Sequence, residues 1–269
     1  PNGAGLSSSA ALEVVTAYAF NDQLGTGFNR TVLAQIGQKS EHEFALVNCG
    51  IMDQFASAMG KKDMAIFLDC RDLNYELVPL KLNGYKLVIA NTNKKRSLGE
   101  GKYNERRREC EEGVTMLQKA LPNITCLREV SVQDFLKHEN LISDEVIKKR
   151  VKHVVYENER VIESVKALKN NDLVTFGKLM NESHDSLRDL YEVTGFELDT
   201  LVNEARKING VLGSRMTGAG FGGCTVSLVH NDSIDEFVSR VGEAYEKAVG
   251  YSASFYISEI GDGGREEVI

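Results

Sequence analysis

Tryptophan is absent from the 269 residues and proline occurs three times, so the chain is neither a proline-stiffened linker nor a low-complexity array. Cysteine is sparse too. Cys49, Cys70, Cys110, Cys126 and Cys224 make an odd count with no CxxC spacing. That argues against a disulfide framework or a thiolate metal centre and for a reducing compartment, the cytoplasm. An excess of basic charge is missing: 32 Lys and Arg stand against 39 Asp and Glu, a net charge of −7. A phosphate-tracking surface normally shows a basic balance, so no nucleic-acid partner is expected. No stretch approaches the ~20 apolar residues that cross a bilayer, and no charged-then-apolar leader opens the chain, so no membrane partner is expected either.

What is present is enough apolar content, 42%, to bury a sizeable core in an enzyme-sized chain, with room for two lobes. Apolar spacing predicts helices over residues 6–20 and 31–46, with Leu12, Val15 and Ala19, and Leu33 and Ile36, on buried faces. A third helix follows Gly50. Strand-like runs at 64–69, 75–79 and 85–91 come next, the last with Leu87, Val88 and Ile89 in a row as in a covered strand. From about 102 to 208 the pattern is helical. The stretch 145–169 carries Val146, Ile147, Val151, Val154, Val155, Val161, Ile162 and Val165 on one side, a bundle wall. The run Arg106, Arg107, Arg108, followed by Glu109, Glu111 and Glu112, reads as a solvated charged helix face. The chain then returns to strand (211–215), glycine loop, strand (224–230), helix (233–249) and strand (254–259). This order indicates an α+β architecture without internal repeats.

Three constellations carry chemistry. The first is Pro1-Asn2-Gly3-Ala4-Gly5-Leu6-Ser7-Ser8-Ser9-Ala10, a glycine-serine loop running into a helix. Glycine admits backbone conformations closed to other residues and leaves room for an anion, and the first amides of a helix are unpaired donors at its positive end. A polyphosphate suits them. No Lys follows the glycines, so this is not a Walker A loop. An ordinary serine-capped helix is the plain alternative. The second is Gly218, Ala219, Gly220, Gly222 and Gly223 between two apolar strands, either a tight hairpin or a loop where backbone closely approaches a ligand. The third is Glu41-His42-Glu43 followed by Cys49-Gly50-Ile51-Met52-Asp53-Gln54. Asp53 is either a helix-start carboxylate or a proton acceptor beside the phosphate loop, and Glu41 a possible Mg²⁺ oxygen ligand.

Taken together, PNGAGLSSSAALE, CGIMDQFASAMG with FLDCR after it, NERRREC and GSRMTGAGFGGCTVSLV resemble the galactokinase branch of the GHMP kinase superfamily, over nearly the whole chain. The first loop alone would indicate only the superfamily.

The resemblance implies a ribosomal-protein-S5-domain-2-like first lobe (residues 1–93), a ferredoxin-like second lobe with added helices (94–269), and a site between them. It implies ATP and Mg²⁺ as cofactors and galactose as acceptor, phosphorylated at C1 in the Leloir pathway. The phosphate loop would be Gly3, Ala4, Gly5, Leu6, Ser7, Ser8, Ser9 and Ala10; the metal ligands Ser9 and Glu41; the catalytic residue Asp53; and the sugar contacts Gly50, Asp53 and Tyr103. The second glycine loop would close against the first. Partners would be small molecules, and a monomer is expected. A segment of the type GRxNLIGEHTDY, which in this family opens the first lobe and holds the sugar hydroxyls, has no counterpart here, so a C-terminal fragment is expected, inactive by itself and with that lobe incomplete. Alternatives are a kinase for another small acceptor such as N-acetylgalactosamine, or a non-catalytic galactose sensor that contacts a transcriptional regulator. Sensor relatives can lack the Ser-Ala pair, and Ser9-Ala10 is kept here.

Overall fold

The computed structural model describes residues 6–94 and 99–266. Helix α1 (Ser8–Gln23) packs on α2 (Arg30–Glu43) and α3 (Met52–Met59), and strands β1 (Met64–Leu68) and β2 (Tyr75–Pro79) pair as an antiparallel ribbon. Val14, Ala34, Ile51, Phe55 and Ala58 form the core of this part, and the Phe55 ring meets Tyr75 of β2 edge-on at 5.3 Å. Strand β3 (Tyr85–Asn91) leads into α4 (Gly99–Leu117), α5 (Val132–His138), α6 (Glu145–Lys169), α7 (Leu173–Ser186) and α8 (Phe196–Ala205). Then come β4 (Val211–Met216), β5 (Cys224–His230), α9 (Ile234–Val249) and β6 (Ser254–Ser258).

Strands β3 to β6 form one antiparallel sheet in the order β4-β5-β3-β6. Numbered within the sheet this is 2-3-1-4, the ferredoxin-like arrangement. The division expected at 93/94 falls after β3, which lies at the centre of this sheet between β5 and β6. Side chains alternate across the pleat: Val88 and Val229 meet α8 and α9, whereas Leu87 and Leu228 face α7, β2 and the end of α6. Helix α7 lies directly on β4 because both present glycine there. A Cβ on Gly213 would stand 2.2 Å from the Gly177 carbonyl oxygen, and one on Gly177 2.5 Å from that of Leu212. The segment after β6 returns to the first helices. Gly263 donates its amide to the Gly60 carbonyl (2.7 Å), and Arg30 donates to the carbonyls of Ala58 (2.7 Å) and Gly264 (2.8 Å), tying the end of α3 to the far end of the chain.

Three packing expectations are corrected. On α1 the buried positions are Ala10 and Val14, while Leu12 (67% exposed), Val15 and Ala19 face outward, as does Ile36 of α2. The helix is apolar nearly all round, so its periodicity cannot select a face. On α6, Ile147, Val151 and Val155 are buried, but Val146 and Val161 are exposed. Arg106 is not on a solvated face: it is buried against Tyr191 and Glu192, and only Arg107 and Arg108 lie in solvent. No disulfide joins the five cysteines, and among the described residues no helix is long and apolar enough to cross a membrane.

Candidate active site

Gly3, Ala4 and Gly5 lie outside the described residues. From Leu6 onward the phosphate segment is visible as the entry to α1. Ser7 is the N-cap residue, in the left-handed region (φ 58°), and its side chain makes no capping hydrogen bond. The serine-capped alternative therefore does not hold at Ser7. Among the described residues no N-cap side chain bonds the first amides of the helix, the condition under which a helix N-terminus accepts an anion. Ser8 and Ser9 are exposed beside them, and Ala10 is turned into the core.

One turn further along α1, Glu13 occupies the same face as Ser9, because residues four apart on a helix are neighbours. Its carboxylate accepts a hydrogen bond from Gln54 Nε2 at 3.3 Å, and it lies against Glu41 near the end of α2. Burial lifts the Glu13 carboxyl above the ordinary carboxylate value, the Gln54 bond works against this, and the neighbouring Glu41 adds to the rise. Gly37 makes the convergence of the three helices possible: a Cβ there would stand 3.1 Å from Gln54 Cγ and 3.4 Å from Glu13.

Asp53 sits in the first turn of α3, next to Gln54, and is half-buried. The N-cap of that helix is Ile51, so Asp53 does not cap it, and among the described residues its carboxylate takes no hydrogen bond. A carboxylate held at the site without a structural partner is one available to a ligand hydroxyl. Its charge reaches the Cys49 thiol, which burial pushes up first and the carboxylates of Glu41, Glu13 and Asp53 push further. Glu41, Glu13, Cys49 and Asp53 thus share one electrostatic neighbourhood. Gln38 and His42 of α2 fix the loop before α3 by bonding the Cys49 carbonyl at 3.2 and 2.8 Å. Gly50 follows with its backbone exposed and nothing within 4 Å of a notional Cβ.

Tyr103 projects from α4, partly buried. On the same helix, Arg107 reaches the Asn48 carbonyl at 3.4 Å, so α4 is moored to the Gly50 loop one turn from Tyr103. The second glycine loop joins β4 to β5. Gly218, Gly220, Gly222 and Gly223 all have positive φ, between 76° and 124°, which accounts for glycine at each. Gly218 and Ala219 form its exposed tip. Gly220, Gly222 and Gly223 are buried and Phe221 partly so, the loop being fastened by the Thr92 amide and hydroxyl to the Gly223 carbonyl (2.9 and 2.8 Å) and by the Phe221 amide to that of Val193 (2.7 Å).

For a divalent cation the described residues provide no cluster of three or more His, Cys, Asp or Glu. Mg²⁺ does not need one: it is commonly held by one or two carboxylates with water and phosphate oxygens. Glu41, beside the Glu13 carboxylate, fits that donor set, with Ser9 one turn before Glu13 on α1.

Glu13 and Gln54 were not singled out from the sequence. The available signal was the spacing of Glu13 four residues after Ser9, together with an amide directly following the candidate Asp. The FLDCR signature has a structural part instead. Asp69 accepts both nitrogens of the Arg71 fork (2.9 and 2.6 Å), which with the Arg71 amide and Arg128 holds its carboxyl down at about 2 and closes the turn after β1.

Comparison with known proteins identifies the family and the fold. Residues 1–61 match the GHMP kinases N terminal domain, and residues 164–247 match the GHMP kinases C terminal domain. The chain is 54% identical over 266 residues to a galactokinase of Clostridium acetobutylicum and 55% identical over 263 residues to one of Fusobacterium nucleatum. These alignments take in 99% and 98% of this chain and 68% of each relative. A galactokinase of Lactococcus lactis solved in complex with galactose superposes with a TM-score of 0.94 at 49% identity, over 98% of this chain and 68% of that one. A mevalonate kinase of L. major, 18% identical, shares the fold at a TM-score of 0.61. With the phosphate segment, the CGIMDQ helix and the second glycine loop all within these alignments, the chain belongs to the galactokinase family of the GHMP kinases.

Proposed function

We propose that the protein containing this chain catalyses transfer of the γ-phosphoryl group of ATP to the C1 hydroxyl of galactose, giving galactose 1-phosphate and ADP. The observation that carries this reading is the position of Asp53: a half-buried carboxylate with no hydrogen-bond partner among the described residues, in one neighbourhood with Glu41 and the helix whose N-terminus lacks a side-chain cap. Identity to galactokinases supports the acceptor.

In the reaction the sugar O1 forms a bond to the γ-phosphorus, the bond from that phosphorus to the β,γ-bridging oxygen breaks, and the hydroxyl proton passes to Asp53. Asp53 orients the hydroxyl as well as accepting its proton, and Gly50 and Tyr103 flank the sugar. The α1 amides with Ser7 and Ser8 hold the phosphates, and the 218–223 loop covers them. Such fixed dipoles and positioned groups account for most phosphoryl-transfer catalysis. Ser9 and Glu41 would hold Mg²⁺, which when bound neutralises charge on the phosphate oxygens. A two-lobe division and a cytoplasmic, monomeric enzyme complete the reading, the compartment being supported by an odd number of cysteines with no CxxC spacing.

An acceptor screen with labelled ATP tests it. Label should appear on galactose and depend on Asp53. Preferential labelling of N-acetylgalactosamine, or binding of galactose and ATP without transfer, would replace it with a different acceptor or with a sensor.

A further inference from the structure

The π-helical turn at Leu187–Tyr191, between α7 and α8, ends in carbonyls that the helix itself cannot satisfy. Two buried arginines take them. Arg150 of α6, 2% exposed, donates to the Leu190 carbonyl (2.6 Å), and Arg106 of α4 donates to those of Tyr191 (2.7 Å) and Glu192 (3.3 Å). Glu109 lies between the guanidiniums, 3.0 Å from Arg106 and 2.9 Å from Arg150, and the Glu192 carboxylate takes a further Arg150 nitrogen at 2.8 Å. Glu192 itself is in the left-handed region, φ 55°, a conformation that a non-glycine residue keeps only when its surroundings impose it.

Val193 follows, and the second glycine loop rests on it. Its carbonyl accepts the Phe221 amide at 2.7 Å, and a Cβ on Gly220 would stand 2.1 Å from the same oxygen. The Phe221 ring packs into the cluster of Leu187, Val193, Leu198 and Met216. Where residues 190–192 go, the loop must follow. A buried ionic network is a poor way to add stability, since well-packed apolar side chains often do as well or better. A planar fork with five donors is a good way to hold successive carbonyls in one geometry.

We propose that Arg106 and Arg150 are positioning residues for the second glycine-rich loop, holding the carbonyls of residues 190–192 so that Val193 seats Gly220 and Phe221 for the nucleotide. This rests on the reading above, in which that loop covers the phosphates of ATP. Arg106 also lies one turn from Tyr103, so α4 joins the loop's seat to the proposed sugar contact.

The test uses the full chain with Arg106→Lys, Arg106→Gln and Arg150→Lys, and the milder Glu192→Gln, which removes a carboxylate but no carbonyl, should the arginine variants not fold. Each is followed by the KM for ATP and for galactose, ADP titration calorimetry, and hydrogen exchange of individual amides. The arginine variants should weaken ADP binding and raise the KM for ATP about tenfold, with the KM for galactose moving less than about threefold, as for a coupling network of ordinary strength. Exchange of the Phe221 amide should quicken while the β3–β5 ladder stays protected, and Glu192→Gln should show the same pattern in weaker form. Unchanged Phe221 exchange in the folded variants, or equal loss of protection throughout the sheet, would overturn the inference. Faster Phe221 exchange with unaltered affinity for ATP would leave the clamp standing and instead remove the nucleotide from this loop.

Discussion

Gln54 donates its side-chain amide to the Glu13 carboxylate at 3.3 Å, across the contact between α3 and α1 and one residue beyond Asp53. The bond ties the helix carrying Asp53 to the helix whose first amides are proposed to hold the phosphates, and the Glu13 carboxylate in turn abuts Glu41. Gln54 is buried and its Oε1 has no partner among the described residues, so the residue gives little net stability. Gln54→Leu should therefore change unfolding free energy by less than about 1 kcal/mol but lower turnover by about tenfold or more, the usual effect of disturbing the outer partners of a metal site, here Glu13 beside the proposed ligand Glu41. Parallel melting curves and steady-state rates decide it. An unaltered rate would detach Gln54 from the site.

Asp53→Asn should leave ADP affinity nearly as it was and reduce turnover by about 10²–10⁴-fold, since only the proton acceptor is lost. Calorimetry with ADP and single-turnover transfer to galactose separate the two effects. Transfer within about threefold of the wild-type rate would contradict the assigned role.

Ser9→Ala and Glu41→Gln should each raise the Mg²⁺ concentration required for half-maximal rate, and the double variant should be clearly non-additive, because the two groups act on one ion. Strict additivity would put them in separate sites. A Mg²⁺ dependence unchanged in both single variants would remove them from the metal shell.

His153 provides a pH signature remote from the chemistry. It is buried in α6, bonded to Ser186 at 2.8 Å and stacked on Tyr191 at 4.5 Å, and burial holds its imidazole down at about 4, with Glu157 opposing and Arg160, Arg215 and Arg150 assisting. In the unfolded chain the group titrates near ~6.5, so between the two values the unfolded state binds a proton that the folded state refuses. Its contribution is complete above the unfolded value and is lost as pH falls towards 4, by about 2 kcal/mol at pH 5. His153→Gln lacks this loss. Urea unfolding of both proteins at pH 7 and pH 5 measures it, and equal losses in the two would refute the assignment.

Much of the architecture was legible in the chain. The limits of β2, β3, β5 and α6 agree with the runs of apolar residues and turn signals that predict them. The glycines of the 218–223 loop announced a backbone conformation that the structure displays as four positive φ angles. The face of α1 was not legible, because a helix carrying Ala10, Leu12, Val14, Val15 and Phe20 offers several apolar stripes and the choice falls to whichever neighbours arrive. The burial of Arg106 was equally hidden. Nothing in a run of three arginines reveals that the first will meet two carbonyls some 85 residues away in sequence.

The sequence by itself determined the α+β order of elements and the two glycine loops, because these depend on local rules of periodicity, capping and permitted φ, while the candidates Ser9, Glu41 and Asp53 rest on motifs that resemble those of galactokinases. Only the tertiary structure decided that β3 sits between β5 and β6, that Glu13 and Gln54 meet beside Asp53, and that two arginines from separate helices fix the turn beneath the second glycine loop. Those arrangements arise from packing between residues distant in sequence, where burial and the need to satisfy every buried polar group act on the assembled chain and leave no periodic trace along it.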